Sequence, residues 1–208
     1  MKKLLIFAAM MVSLAFAESK PFTHDGFFLN ISLGFGHQSI DFAYDSHLYN
    51  EDGQHIYEFN QSGLATDLDL KFGGRIANNL LLHVTLAGST SIGEVDVGEE
   101  DKIKTNLSIF GLGTTYYFLD NFFATASFGM SEFHFDSDIS TFNATANRIV
   151  DNIVCGLAIQ AAVGKEWWVS DNWGLGASVA LLYGFDFGEY EYRDASTTVS
   201  IRFSATYN

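Results

Sequence analysis

Six charged side chains carry most of the chemistry that this sequence could perform, and each lies inside a stretch of alternating hydrophobicity. Residues two apart on a strand share a face. Because charges enclosed on one face must be paired, we expect Lys71 and Arg202 to meet the two aspartates, and Arg75 to meet Glu166. The six are Asp67, Asp69, Lys71, Arg75, Glu166 and Arg202.

Two groups of residues have the composition of a catalytic site. Nucleophilic catalysis needs a histidine beside a serine or a carboxylate. Ser46, His47 and His55 share one polar stretch, and His134 lies near Asp136 in another. Polar stretches of this length contain such pairs by chance, so we predict that the protein is not an enzyme and has no catalytic residues.

The sequence also gives little support for a metal or cofactor site. Cys155 is the single cysteine, so there is no cysteine cluster or disulfide framework. Acidic runs such as Glu99–Asp101 could bind Ca²⁺ or Mg²⁺ through oxygen atoms, but none has an ordered ligand spacing. We therefore expect solvated charge and no cofactor or metal. The net charge of −14 argues against a nucleic-acid partner.

A hairpin from Ile153 to Tyr183, turning at 170–172, shows the pattern that positions these charges. In its strands, large apolar residues alternate with glycine, alanine and serine. An alternation with a period of two residues is typical of a β-strand. The same pattern predicts eight strands, with short turns alternating with long acidic loops. The predicted loops are about Ile40–Gly63, Gly93–Lys102, Phe133–Arg148 and Asp186–Ala195, and the first contains no Lys or Arg.

The fourth strand, about Ile103–Phe118, has an ambiguous pattern. Leu107 and Ile109 fit one face, whereas Phe110 and Leu112 fit the other. A β-bulge or a pair of enclosed apolar residues would explain the conflict. The first strand is predicted at Phe27–Gln38 and the second at Leu64–Ile76.

The apolar face is predicted to contact lipid rather than to line a soluble core. Turning Lys71 or Arg202 toward mid-membrane would cost about 2–4 kcal/mol each, so these residues are assigned inward, and the small residues beside them suit a narrow lumen. Aromatic residues cluster at the short-turn ends, as a membrane-interface girdle would. They are Tyr116, Tyr117, Phe118, Phe122, Phe123, Trp167, Trp168, Trp173 and Tyr207.

The N-terminus predicts export. Lys2 and Lys3 precede the apolar run Leu4–Val12, and Ala15–Ala17 forms a small-residue cleavage site. We predict a cleaved signal peptide over residues 1–17 and one barrel domain over 18–208.

The strand alternation, the Asp-Asn turns at 119–121 and 170–172, and the closing pattern of residues 199–207 resemble the small outer-membrane β-barrel superfamily typified by the transmembrane domain of outer-membrane protein A. The resemblance implies an all-β, eight-stranded, antiparallel up-and-down transmembrane barrel in a Gram-negative-type outer membrane. It also implies a lumen nearly filled by its own side chains. One departure is that Asn208 follows the aromatic residue at which such barrels usually end.

The expected function is a structural or surface-interaction role through the acidic loops, with salt bridges closing the lumen. A narrow pore or transporter for small solutes is the first alternative, and a membrane-embedded enzyme acting on lipid A is a weaker one. The expected partners are outer-membrane lipid, lipopolysaccharide and the outer-membrane assembly machinery, and we expect a monomer.

Overall fold

The computed structural model describes residues 22–24, 26–46, 55–96, 100–137, 156–185 and 195–208. These residues form eight antiparallel strands in one closed barrel, with each strand paired to its sequence neighbours and β1 paired to β8. The predicted fold class is confirmed. The strands are β1 Phe27–Ser46, β2 His55–Ala77, β3 Leu80–Asp96, β4 Glu100–Phe118, β5 Phe122–Ser137, β6 Gly156–Trp168, β7 Trp173–Phe185 and β8 Ala195–Tyr207.

The pairing register fixes the width of the barrel. A path that starts at Lys71 and passes from each residue to its partner on the next strand returns to β2 at Gln61. Lys71 and Gln61 are ten residues apart, so the shear number of this eight-stranded barrel is ten. Eight strands at this shear tilt by about 40° and enclose an interior that side chains can fill. The path runs through Thr85, Gly111, Gly129, Ala158, Gly184, Ser196 and Ile40.

Alternation sends large apolar side chains out of the barrel and small or polar ones in. On β8, Val199, Ile201 and Phe203 are exposed, whereas Ser200 and Arg202 between them are buried. An outward surface of leucine, isoleucine and phenylalanine would be unfavourable in water. The arrangement therefore suits a barrel whose outer wall meets lipid. Among the described residues, no helix is long and apolar enough to cross a membrane.

Three short turns join the strands at one end. In the turn after β4, Leu119, Asp120 and Asn121 all have positive φ, and Asn79 has φ 59° in the turn after β2. Asparagine and aspartate tolerate this conformation because their side chains hydrogen-bond locally. The Asp120-Asn121 pair that marked a turn in the sequence therefore has a conformational reason, whereas Asp171 and Asn172 are not in this conformation.

Three of the four predicted loops have wrong bounds. β1 continues to Ser46 and β2 begins at His55, so most of the predicted loop Ile40–Gly63 is paired strand. β3 extends to Asp96, β4 begins at Glu100 and β5 extends to Ser137. Where a hairpin leaves the membrane both faces can be polar, so the backbone pairing continues after the hydrophobic alternation has disappeared.

The ambiguity of β4 is resolved by enclosed apolar residues. Its register with β3 and β5 is continuous, and the one shift in the pairing of β2 with β3 lies between Arg75 and Ala77. Leu107 and Ile109 are buried inside the barrel, whereas Phe110 and Leu112 are exposed outside it. The predicted signal peptide, Cys155 and the predicted loop 186–194 lie outside the described residues.

Candidate functional site in the barrel lumen

Four of the six predicted charges meet at the centre of the lumen, and we call Asp67, Asp69, Lys71 and Arg202 the charge cluster. Arg202 Nε lies 3.0 Å from Asp67 Oδ2, and its Nη1 donates to Asp69 Oδ2 at 2.6 Å. Lys71 is paired with Asp69. All four side chains are at most 5% exposed. Two positive and two negative charges therefore balance within one enclosed group.

Neutral side chains add hydrogen bonds to the cluster, although Asp69 Oδ1 is buried without a hydrogen-bond partner among the described residues. Gln160 Nε2, from β6 on the opposite wall, donates to Asp69 Oδ2 at 2.9 Å. The Ser200 hydroxyl donates to Asp67. The cluster thus joins β2, β6 and β8, and each of its charges has a partner of opposite sign.

Gly34 makes room for the cluster, and the sequence analysis did not identify it. Gly34 pairs with Asp67 on one side and with Arg202 on the other. A Cβ built at this position would overlap the Asp67 carboxylate and lie 2.8 Å from Arg202 Cγ. The sequence does contain a signal for this role, because a glycine at an inward position of a strand often marks the close approach of another group.

We expect Gly34→Ala to lower the free energy of unfolding by about 1–3 kcal/mol, because the added methyl group overpacks the cluster. Gly88→Ala is the matched control, since a Cβ there would meet its nearest atoms at ordinary distances of 3.5 and 3.7 Å. Denaturant titration of the refolded protein would compare the two variants. Equal stability of both variants would contradict close packing around Gly34.

Glu166 and Arg75 do not form the predicted pair. Glu166 is buried near the short-turn end, where its Oε2 accepts a hydrogen bond of 3.0 Å from the Tyr117 hydroxyl. Arg75 is exposed at the end of β2, and no salt bridge joins it to Glu166 among the residues that the structure describes. The register shift between Arg75 and Ala77 lies where the strand leaves the barrel.

Aromatic rings close the short-turn end of the lumen. The His24 ring stacks on Tyr117, with centroids 3.4 Å apart and planes within 10°, and lies 4.9 Å from Trp168. Phe28, Leu81 and Phe123 pack with Tyr117 as a buried cluster, which we call the aromatic layer. Tyr117, Phe123 and Trp168 were predicted to belong to the outward girdle, and the structure places them on the inward face instead.

The other predicted girdle residues lie on the outer wall. Trp173 contacts Tyr207 edge-on at 5.4 Å, and Phe118 stacks with Tyr116 and with Phe122, each at 6.3 Å. Trp167 is also exposed. These residues surround the short-turn end, at the level expected for a membrane boundary.

A third layer lies on the other side of the charge cluster. Leu107, Ile109 and Leu182 pack with Ala87, Ala158 and Phe133 inside the barrel, and we call this group the apolar layer. Gly184 lies against it, since a Cβ at that position would come within 2.8 Å of Leu107 Cδ1. Apolar side chains from β3, β4, β5, β6 and β7 therefore occupy the lumen beyond the charges.

His83 is held between hydroxyl groups rather than beside a nucleophile. Its Nδ1 lies 3.1 Å from Thr85 Oγ1 and its Nε2 lies 3.0 Å from Thr115 Oγ1. Ser127 contacts Thr85 at 2.8 Å, so it reaches the imidazole only through another hydroxyl. A base that activates serine must bond to it directly, so this group has the geometry of a packed polar layer.

The three layers leave little open space. The cavity between the charge cluster and the aromatic layer has a volume of about 20 Å³ and is lined by Asn30, Asp69, Lys71 and Tyr117 among others. That volume holds about one water molecule. This cavity is therefore too small to hold a solute.

The residues considered for catalysis are placed only in part. Ser46 and His55 are the end residues of β1 and β2, His134 is exposed on the outside of β5, and His47 lies outside the described residues. Within the described ranges, no group of three or more His, Cys, Asp or Glu residues could hold a metal ion.

No protein-family model and no curated protein sequence matches the chain. Solved structures share its fold at low identity. Outer membrane protein OprG from Pseudomonas aeruginosa is 12% identical with a TM-score of 0.50, and the match covers 89% of this chain and 98% of that one. The outer membrane protease OmpT from Escherichia coli is 12% identical over 91% and 99% of the two chains, with a TM-score of 0.45. Ail, the attachment invasion locus protein of Yersinia pestis, is 11% identical over 86% and 98%, with a TM-score of 0.40.

Proposed function

Because the chain has the fold of the small outer-membrane β-barrels, we propose that it is a non-conducting, non-enzymatic barrel that acts through its extracellular end. The observation that carries the proposal is the packing of the lumen around the charge cluster, where the cavity beside the cluster has a volume of about 20 Å³ and no room for a solute. The charge cluster then has a structural role, since it ties β2, β6 and β8 together across the interior.

Three layers of different chemistry support a permanently closed lumen. A rotation of Arg202 away from the aspartates would still leave the apolar layer on one side and the aromatic layer on the other. Conduction would require all three to rearrange together. Interiors packed to this extent resist continuous deformation.

The strands themselves support a role for the outer end. β1 has 20 residues and β2 has 23, whereas a spanning strand needs about 9–11. The segment that joins their membrane-spanning parts carries Asp41, Asp45, Glu51, Asp52 and Glu58 and contains no Lys or Arg. A projecting acidic hairpin would attract a partner with positive charge.

A narrow pore is the second candidate, and one observation favours it. A single side chain, Arg202, contacts both aspartates, so its release from them would free the polar part of the lumen without breaking any strand pairing. Serine, threonine and glutamine side chains on β8, β1 and β6 give this part of the lumen a polar wall.

We expect no single-channel steps when the refolded protein is inserted into a planar bilayer, and none from Arg202→Ala, because two other layers remain. Arg75→Ala, which removes an exposed arginine, is the matched control. Folding would be verified for each variant before the recording. Steady steps in the native protein that change in Arg202→Ala but not in Arg75→Ala would establish the pore and overturn the proposal.

The remaining parts of the proposal concern the cell. We propose that the chain is exported with cleavage after Ala17, is inserted by the outer-membrane assembly machinery, and functions as a monomer among lipid and lipopolysaccharide. The exposed apolar outer wall of the barrel supports integration into lipid.

A further inference from the structure

The outer wall of the barrel has a groove that the proposed function does not use. It crosses β2, β3, β4 and β5, reaches Leu33 on β1, and has a volume of about 710 Å³. Ligand pockets commonly have volumes of about 300–1,000 Å³. A barrel wall is convex, so a concavity of this size on its lipid-facing side is large enough to distinguish one lipid from another.

The height of the groove follows from the strand geometry. Ser108 in its wall lies ten residues along β4 from Phe118 in the girdle. At about 3.3 Å per residue and a tilt of about 40°, this separation corresponds to roughly 25 Å along the barrel axis. The apolar band of such barrels is about 25 Å tall, so the upper edge of the groove lies where the outer leaflet changes from acyl chains to headgroups.

The lining changes character at the same height. The lower part is formed by Leu33, Leu68, Leu86, Phe110 and Met130. The upper part is formed by Thr66, Thr90, Ser108 and Glu132. A carboxylate on the outer wall costs little only near the interface, so the exposed Glu132 agrees with this placement.

Polar groups continue above the groove on the same face of β4. Thr90 Oγ1 donates to Asn106 Oδ1 at 2.6 Å. Lys104, two outward positions beyond Ser108, is exposed. Along β4 the outward groups are therefore apolar, then a hydroxyl, then an amide and an ammonium group. On β2 and β3 the exposed Leu64 and Ile92 keep the wall beside Lys104 apolar.

We propose that this groove binds a phosphorylated, acylated glycolipid of the outer leaflet, the lipid A part of lipopolysaccharide. An acyl chain occupies the apolar part, the hydroxyl and amide groups at the head of the chains bond to Thr66, Ser108 and Glu132, and a phosphate approaches Lys104. A second copy of the chain fits less well, because a two-fold interface presents the same patch twice and would place one concavity against another.

Gly88 provides the test, because it forms part of the groove and has space for a side chain. The nearest atoms to a Cβ at Gly88 are 3.5 and 3.7 Å away, so the backbone accepts a side chain there, and Gly88→Leu places its bulk in the groove. Ala161→Leu adds similar bulk at an exposed outward position of β6 and serves as the control. Ser108→Phe is a second, independent obstruction.

The experiment is native mass spectrometry of the refolded, detergent-solubilised protein, titrated with hexa-acylated lipid A or with dipalmitoyl phosphatidylglycerol. We expect the native protein and Ala161→Leu to retain one lipid A. Gly88→Leu and Ser108→Phe should bind it about tenfold more weakly, a loss equivalent to about 1.4 kcal/mol. Equal retention by all four proteins, or equal retention of the phospholipid by the native protein, would overturn the proposal. A native dimer that Gly88→Leu dissociates would assign the groove to a second copy and would also overturn it.

Discussion

Replacing Arg202 by methionine is expected to lower the free energy of unfolding by about 3–5 kcal/mol, the cost of breaking a buried ion network by removing one partner. The variant leaves Asp67 without its arginine and Asp69 with Lys71 alone. Methionine fills much of the volume of the arginine side chain. The loss of unfolding free energy therefore measures the effect of the missing charge rather than the effect of a cavity. Denaturant titration of protein refolded into detergent micelles or vesicles, followed by tryptophan fluorescence, would measure it.

Two further variants separate the network from a general effect of losing an arginine. Arg75→Met removes an exposed charge and should change stability by about 1 kcal/mol or less. Adding Asp67→Asn to Arg202→Met removes the carboxylate that lost its partner and should recover part of the stability. A loss below about 1 kcal/mol in Arg202→Met, or no recovery in the double variant, would contradict a coupled cluster.

Leu107→Ala is expected to lower the free energy of unfolding by about 2–5 kcal/mol. Leu107 is fully buried in the apolar layer, between β3 and β5 and against Leu182. Removing three carbon atoms from this enclosed layer leaves a cavity that lipid cannot reach. The same unfolding titration would measure the loss.

The control for Leu107 lies three residues away on the same strand. Phe110 is exposed on the outer wall, and acyl chains adapt to a change in its shape, so Phe110→Leu should cost less than about 1 kcal/mol. A larger loss from Phe110→Leu than from Leu107→Ala would mean that the two faces of β4 are the reverse of those in the structure.

Physical constraints explain which parts of the site could be predicted. Alternation of period two places Asp67, Asp69 and Lys71 on one face, and the cost of a charge in lipid turns that face inward. A narrow interior then brings Arg202 to the aspartates. The central part of the cluster therefore follows from two rules, without knowledge of any distance.

The same rules fail at the ends of the strands. Near the short turns both faces of a strand can be aromatic, because one face meets the lipid boundary and the other closes the lumen. Alternation therefore did not separate Trp167, which is exposed, from Trp168, which contacts His24. The stacking of His24 on Tyr117 joins residues 93 positions apart, and no local pattern reports a contact of that kind.

The missing Arg75–Glu166 pair has a comparable cause. Alternation gives the direction of Arg75 but not the point at which β2 leaves the barrel, which is set by the shift beside Ala77. Glu166 Oε2 instead accepts a hydrogen bond from a tyrosine hydroxyl, an uncharged partner that a search for opposite charges does not consider.

The long first hairpin divides its strands into parts under different physical constraints. β1 and β2 have 20 and 23 residues, about twice the length that a spanning strand needs. Substitutions in the membrane-spanning parts alter contact with lipid or with the lumen. The remaining parts need only preserve backbone pairing, so we expect this hairpin to accept sequence changes that leave assembly of the barrel unaffected.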